Sequence, residues 1–215
     1  MNCTANSMEL ILISHPDFFK GETVIVSSLL DRYNFTFHLR KPGASEQELI
    51  DYLDEIPEAL HAKIVLHNEI EVFSNFKLKG MHFSGAKREH AKQLTTGIRK
   101  GTSCHSIREI KSLDKAFDYV YLSPIFESIS KPGYQGNLNM EEIKLFLKES
   151  RSIQIYALGG IETSNVSTIK ELQFDGLVVL GAVWTRDPFK NQDLISSNFR
   201  EIHSTIHNLY EESNS

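Results

Sequence analysis

Eight strand-length apolar runs alternating with helical patterns, two successive glycine-bearing βα turns in the last third, and no nucleotide fingerprint after the first run predict an α/β fold: a single-domain (β/α)8, or TIM, barrel. The first run, LILISH (10–15), leads into SHPDFFKGE, which lacks the glycine-rich loop that an open dinucleotide-binding sheet carries there. The second, FTFHLR (35–40), alternates. His38 and Arg40 share one parity, which points to the barrel mouth, and Phe37 and Leu39 the other. A helical pattern over 46–53 follows. KIVLH (63–67) and GMHF (80–83) belong to units so short that clipped or irregular helices are expected near 69–78 and 86–95. IRKGTSC (98–104) and YVYLSPIF (119–126) come next, with a helix over 141–147. IQIYALGG (153–160), a helix over 166–172 and GLVVLGAVW (176–184) complete the series. In 188–209, Ile195, Phe199, Ile202, Ile206 and Leu209 recur at spacings of three and four, so a closing helix packs on the barrel wall. Strict alternation implies parallel strands joined by right-handed crossovers.

A chain of 215 residues suffices for one large core, and the expected organisation is a frayed lead over 1–8 and one barrel domain over 9–212, with Met1 or Met8 as the start. Lys+Arg number 23 against 28 Asp+Glu, so the net charge of -5 offers no global field for nucleic acid or an anionic membrane. No apolar stretch approaches the roughly 20 residues of a membrane span, and the start MNCTANS has no signal-peptide core. Cys3 and Cys104 alone argue against a disulfide framework and suit a reducing compartment. Cys104 reads as a small buried residue rather than a nucleophile. A cytoplasmic protein is expected, with homo-oligomerisation open.

Function in such a barrel gathers at the C-terminal ends of the strands. Here those positions hold His15, His38, Arg40, Lys41, His67, Asn68, His82, Ser84, Ser103, His105, the stretch 123–131, Gly159, Gly160, Gly181 and Ala182. The set is cationic and hydroxyl-rich although the chain is acidic, which suits a small molecule carrying more than one phosphate. Arg40 offers the planar fork that grips phosphate bidentately; a structural ion pair is its other reading. FESISKPGY (126–134) mixes Ser128, Ser130, Lys131 and Gly133 in a loop able to close over a diphosphate, or else simply solvated. At Gly159, Gly160 and Gly181, missing side chains let a phosphate approach backbone N–H groups near helix N-termini, although the same glycines could merely allow tight turns.

With HLRKP (38–42), KGMHF (79–83), GTSCHS (101–106), DYVYLSPIFESISK (118–131), ALGGI (157–161) and DGLVVLGAVW (175–184) in this order, the chain resembles the thiamine-phosphate synthases and the related thiazole tautomerases over about 9–190. The resemblance implies a transferase of thiamine biosynthesis, a thiamine-phosphate pyrophosphorylase, that couples hydroxymethylpyrimidine diphosphate to thiazole phosphate and releases diphosphate with magnesium as cofactor. It implies catalytic roles for Arg40, Ser103 and Lys131. Ser128 and Ser130 would join them around the diphosphate and pyrimidine, with His38, His67 and Asn68 also binding substrate. Gly160, Leu180 and Gly181 would hold the thiazole phosphate.

The chain departs from the family pattern in places. His67 and Asn68 stand for an Asn-Asp pair whose Asp serves magnesium, so Asn68 is the remaining metal candidate, and Lys87 stands for a second magnesium Asp. His38 replaces a Gln and Pro42 a Lys. Losing two carboxylates weakens a magnesium site. Lys87, Lys41 and the histidines could replace the metal with fixed cations, or His15, His38 and His67 could hold a softer metal. A tautomerase is the alternative enzyme, but Ser123 and Pro124 occupy its histidine motif, which leaves His105 or His82 to substitute. A phosphate-ligand binding paralogue with a decayed magnesium site is the non-catalytic alternative.

Overall fold

The computed structural model describes residues 8–113, 116–126, 139–149, 151–185, 187–188 and 190–211. Its eight parallel strands close in sequence order, with β8 pairing back onto β1. They are β1 (Glu9–Ile13), β2 (Thr36–Leu39), β3 (Ile64–His67), β4 (Gly80–Phe83), β5 (Arg99–Cys104), β6 (Tyr119–Leu122), β7 (Gln154–Leu158) and β8 (Gly176–Val179). The helices are α1 (Glu22–Arg32), α2 (Glu46–Asp54), α3 (Glu58–His61), α4 (Ile70–Phe73), α5 (Ile107–Lys111), α6 (Met140–Leu147), α7 (Val166–Glu171) and α8 (Gln192–Glu211).

Each run forms a strand because its two parities are buried on opposite sides of the barrel wall. Leu10 and Leu12, Phe37 and Leu39, Val120 and Leu122, and Leu177 and Val179 belong to the larger core between strands and helices. Ile11, Ile13, Tyr119, Tyr121, Tyr156 and Val178 form a second cluster, which fills the barrel itself. Large tyrosines from β6 and β7 are accommodated by glycines on neighbouring strands. A Cβ on Gly101 would lie 2.0 Å from the Tyr119 ring, and one on Gly176 would lie 2.9 Å from Tyr156. The floor is ionic: Glu9 bonds Lys79 at 2.8 Å, Arg99 at 3.0 Å and Thr36 at 2.6 Å. Burial alone would raise the Glu9 carboxyl, but Lys79 and Arg99 hold it down at about 2.

Helix boundaries follow local chemistry. Ser45 and Glu48 form a capping box at α2, and Ser106 and Asn139 cap α5 and α6. The clipped third and fourth units are present as the single turn α4 and a 3-10 segment over Gly85–Gln93. Three apolar runs outlast their strands: β6 stops at Leu122, β7 at Leu158 and β8 at Val179. In β8 the cause is a turn, since the N–H groups of Val183 and Trp184 both return to the Leu180 carbonyl at 3.1 Å. The closing helix α8 starts at Gln192 and buries Ile195, Phe199, Ile202 and Ile206. No described helix is long and apolar enough to cross a membrane.

Candidate active site at the barrel mouth

Closure of the barrel puts every strand's C-terminal end on one rim, so Arg40, His67, Ser103, Leu180 and the glycine turns after β7 and β8 lie at the same end. Arg40 is exposed there, held by its backbone. The Ser14 hydroxyl donates to the Arg40 carbonyl at 2.8 Å and accepts from its N–H at 2.9 Å, tying β2 to β1. Arg40 also lines a 180 Å³ cavity with His67, Asn68, Glu69 and Lys87.

Four cations follow directly on β2 and β4, and three are committed. Lys41 pairs with Glu22 at 2.5 Å, Lys87 with Glu69 at 3.0 Å and Arg88 with Glu109 at 2.5 Å. Arg40 has no carboxylate partner among the described residues. Lys41 is buried and also donates to the carbonyls of His15 and Asp17, so it shapes the loop after β1. Lys41 and Lys87 therefore do not supply the free cations considered above as a substitute for magnesium.

The mouth-directed histidine of β2 turns inward. His38 is buried, one inward position below His67 and His82, because β2 pairs His38 with Val65 while β3 pairs His67 with His82. The Tyr121 hydroxyl is hydrogen-bonded to His38 Nδ1 at 2.6 Å, and His67 Nε2 lies 3.0 Å from that nitrogen. His82 stacks between Tyr121 (centroids 4.2 Å apart) and His67 (4.5 Å), with its Nε2 2.9 Å from Ser103 Oγ. Ser103 is thus engaged with a histidine at the site. His15 lies apart, packed on Phe19 and Trp184, and does not join His38 and His67. Cys104 is buried, and burial pushes its thiol up to about 12, which suits a structural residue.

Burial disfavours charge on all three inner histidines. It lowers His38 and His67, with the neighbouring histidines adding to the effect, and takes His82 down to about 3, with Arg40 and Arg88 adding. The unfolded chain therefore binds more protons between that value and the ordinary imidazole range near 6.5, so this stability is full above pH 6.5 and lost as pH falls. From His82 alone, a drop from pH 7 to pH 5 is expected to cost about 2 kcal/mol. Glu22 acts oppositely, since burial raises its carboxyl to about 7 against the pull of Lys41. Urea unfolding with chelator present, compared with His82→Gln, separates the two: between pH 7 and pH 5 the stability of the variant should change by about 2 kcal/mol in the favourable direction relative to the wild type, and equal slopes would refute the assignment.

After β7, Gly159 (φ 101°) serves packing: a Cβ there would lie 2.9 Å from Pro124, and the N–H groups of Ile125 and Phe126 bond Leu158 and Gly159. Gly160 (φ 64°) has its carbonyl tied to Asn165 Nδ2 at 2.8 Å, and the exposed Gly181 has open space where a Cβ would be. Trp184 Nε1 donates to the Ile13 carbonyl at 2.6 Å, fastening the turn after β8 to β1. Ser128, Ser130 and Lys131 lie outside the described residues.

The thiamine monophosphate synthase family model matches residues 10–183. The chain belongs to that family. It is 29% identical over 130 residues to the thiamine-phosphate synthase of Latilactobacillus sakei, a stretch spanning 57% of each chain. It is 27% identical over 159 residues to that of Erythrobacter litoralis, covering 70% of this chain and 75% of the relative. A solved thiamine phosphate pyrophosphorylase from Bacteroides thetaiotaomicron superposes with a TM-score of 0.78 at 29% identity, over 94% of this chain and 98% of that one.

Magnesium, implied by the resemblance, meets a poor donor set in this member of the family. Asn68, at a left-handed φ of 68°, spends Oδ1 on the Ser84 N–H at 2.9 Å; Lys87 is a cation, and Glu69 is paired with it. A hard ion that prefers carboxylate oxygens does not fit these residues. The sequence reading also passed over Ser14 and Tyr121. Tyr121 shares its parity with Tyr119, a detectable signal, but its contact with His38 spans the barrel from β6 to β2.

Proposed function

We propose that the chain is a thiamine-phosphate synthase-like transferase that couples hydroxymethylpyrimidine diphosphate to thiazole phosphate and releases diphosphate. The observation that carries this reading is Arg40, whose backbone is fixed by Ser14 and whose guanidinium has no carboxylate partner among the described residues, beside the mouth cavity and on the rim where Gly181 leaves open space over its backbone. In this reading Arg40 neutralises the leaving diphosphate, with Ser128, Ser130 and Lys131 assigned to the same group by resemblance. Gly160, Leu180 and Gly181 take the thiazole phosphate, and His67 and Asn68 face the pyrimidine. The reaction needs charge neutralisation of a leaving group rather than acid-base work, which agrees with inner imidazoles that stay uncharged.

A tautomerase reading lacks a comparable observation, because His105 directs Nδ1 to the Ser123 carbonyl at 2.9 Å and is engaged in holding the loop after β6. The altered carboxylate positions favour a phosphate-binding paralogue as the second reading. Incubating the purified chain with both phosphorylated precursors, with and without Mg²⁺, decides between them. Thiamine phosphate and diphosphate are expected in equal amounts. Saturable thiazole phosphate binding without product would transfer the assignment to the paralogue.

A further inference from the structure

We propose that His38, His67 and His82 form a three-imidazole site for one transition-metal ion of borderline softness, Zn²⁺ foremost, inside the barrel below the mouth. One ring nitrogen from each lies within 4.8 Å of the others, and all three side chains are buried. Zn–N bonds of 2.0–2.1 Å in tetrahedral geometry place ligand nitrogens about 3.4 Å apart, so side-chain adjustments of about 1 Å bring the three into coordination.

The protonation pattern points the same way. His82 Nε2 is satisfied by Ser103 Oγ, while its Nδ1 is buried with no hydrogen-bond partner. With its proton on Nε2 and directed to the Ser103 hydroxyl, His82 presents a bare lone pair on Nδ1, the arrangement of a metal-ligating histidine. His38 Nδ1 and His67 Nε2, 3.0 Å apart, share a hydrogen bond that the ion would displace together with the Tyr121 contact, releasing the shared proton. An all-imidazole set selects Zn²⁺, Co²⁺, Ni²⁺ or Cu²⁺ over Mg²⁺ and Ca²⁺. The stacked His67 and His82 rings come from positions paired directly across β3 and β4, so the backbone holds two of the ligands in place.

Nearby positive charge is partly cancelled. Lys79 and Arg99 share the single carboxylate of Glu9, which leaves one positive charge at the floor, and Arg88 is paired with Glu109. That charge and Arg40 would favour an anion as the fourth ligand. His67 lines the mouth cavity beside Arg40, which provides a path for the ion and for such an anion, a phosphate oxygen or hydroxide. This site does not depend on the proposed transferase activity, because it is assayed with metal alone.

The test is titration of the chelator-treated full chain with Co²⁺, followed by the visible absorption of four-coordinate cobalt. One ion per chain is expected, displaced by Zn²⁺ and not by Mg²⁺. His38→Gln and His67→Asn should each weaken binding by more than about 100-fold, beyond the range of outer-shell changes, while the double variant His203→Ala/His207→Ala on α8 should leave it unchanged. X-ray absorption of the Zn²⁺-loaded wild-type chain should show three imidazole ligands, a reading independent of how the variants fold. No cobalt spectrum, undiminished binding in folded His38→Gln and His67→Asn, or loss of the ion in the α8 double variant would each overturn the site.

Discussion

On the proposed transferase reading, Arg40→Ala is expected to lower thiamine phosphate formation by about 100- to 1000-fold, the range seen when one preorganised donor to developing negative charge is removed. The side chain is exposed and touches no carboxylate among the described residues, and the contacts that hold this position run through the backbone to Ser14, which alanine preserves. The loss should therefore fall on turnover and not on stability. Arg40→Lys should recover only part of the rate, since an ammonium restores charge without the bidentate fork. Steady-state kinetics beside a urea melt checks both statements. A wild-type rate in Arg40→Ala would remove this residue from the chemistry.

Gly101→Ala carries the second large effect, and it falls on the fold. The new methyl would sit 2.0–2.6 Å from atoms of the Tyr119 ring, far inside van der Waals contact. Tyr119 cannot swing aside, because it is fully buried and packed against Tyr121 and Tyr156 at centroid distances of 5.8 and 5.4 Å. Nor can β5 withdraw, being paired to β4 and β6 at Gly101 itself. Overpacking of a tight core typically costs 1–3 kcal/mol, and with ring and backbone both immobile the expected loss here exceeds about 3 kcal/mol. Denaturant unfolding measures it; a loss under about 1 kcal/mol would show that the barrel interior yields more than its packing implies.

The barrel was legible because its signals are local. Runs of strand length, helical spacing such as Ile195–Phe199–Ile202–Ile206, and the Ser45–Glu48 box each act within a few residues. Strand ends were less legible: GLVVLGAVW is apolar throughout, and only the return of two N–H groups to Leu180 shows where β8 stops. Arg40 was singled out by its parity beside His38, and the parity argument correctly separated both from Phe37 and Leu39. It could not distinguish a side chain that reaches the rim, as Arg40 does, from one enclosed below it, as His38 is.

Order of elements, strand parity, helix caps and the family resemblance all follow from the sequence, because each depends on neighbours in the chain or on motif order. Which cations are spent and which nitrogens meet was decided by tertiary structure alone. Lys41 finds Glu22, Lys87 finds Glu69, and His38 finds both His67 and Tyr121. The physical reason is the stagger of a closed barrel: tilted strands offset each register from the next, so residues distant in sequence come to one level only once all eight strands have joined.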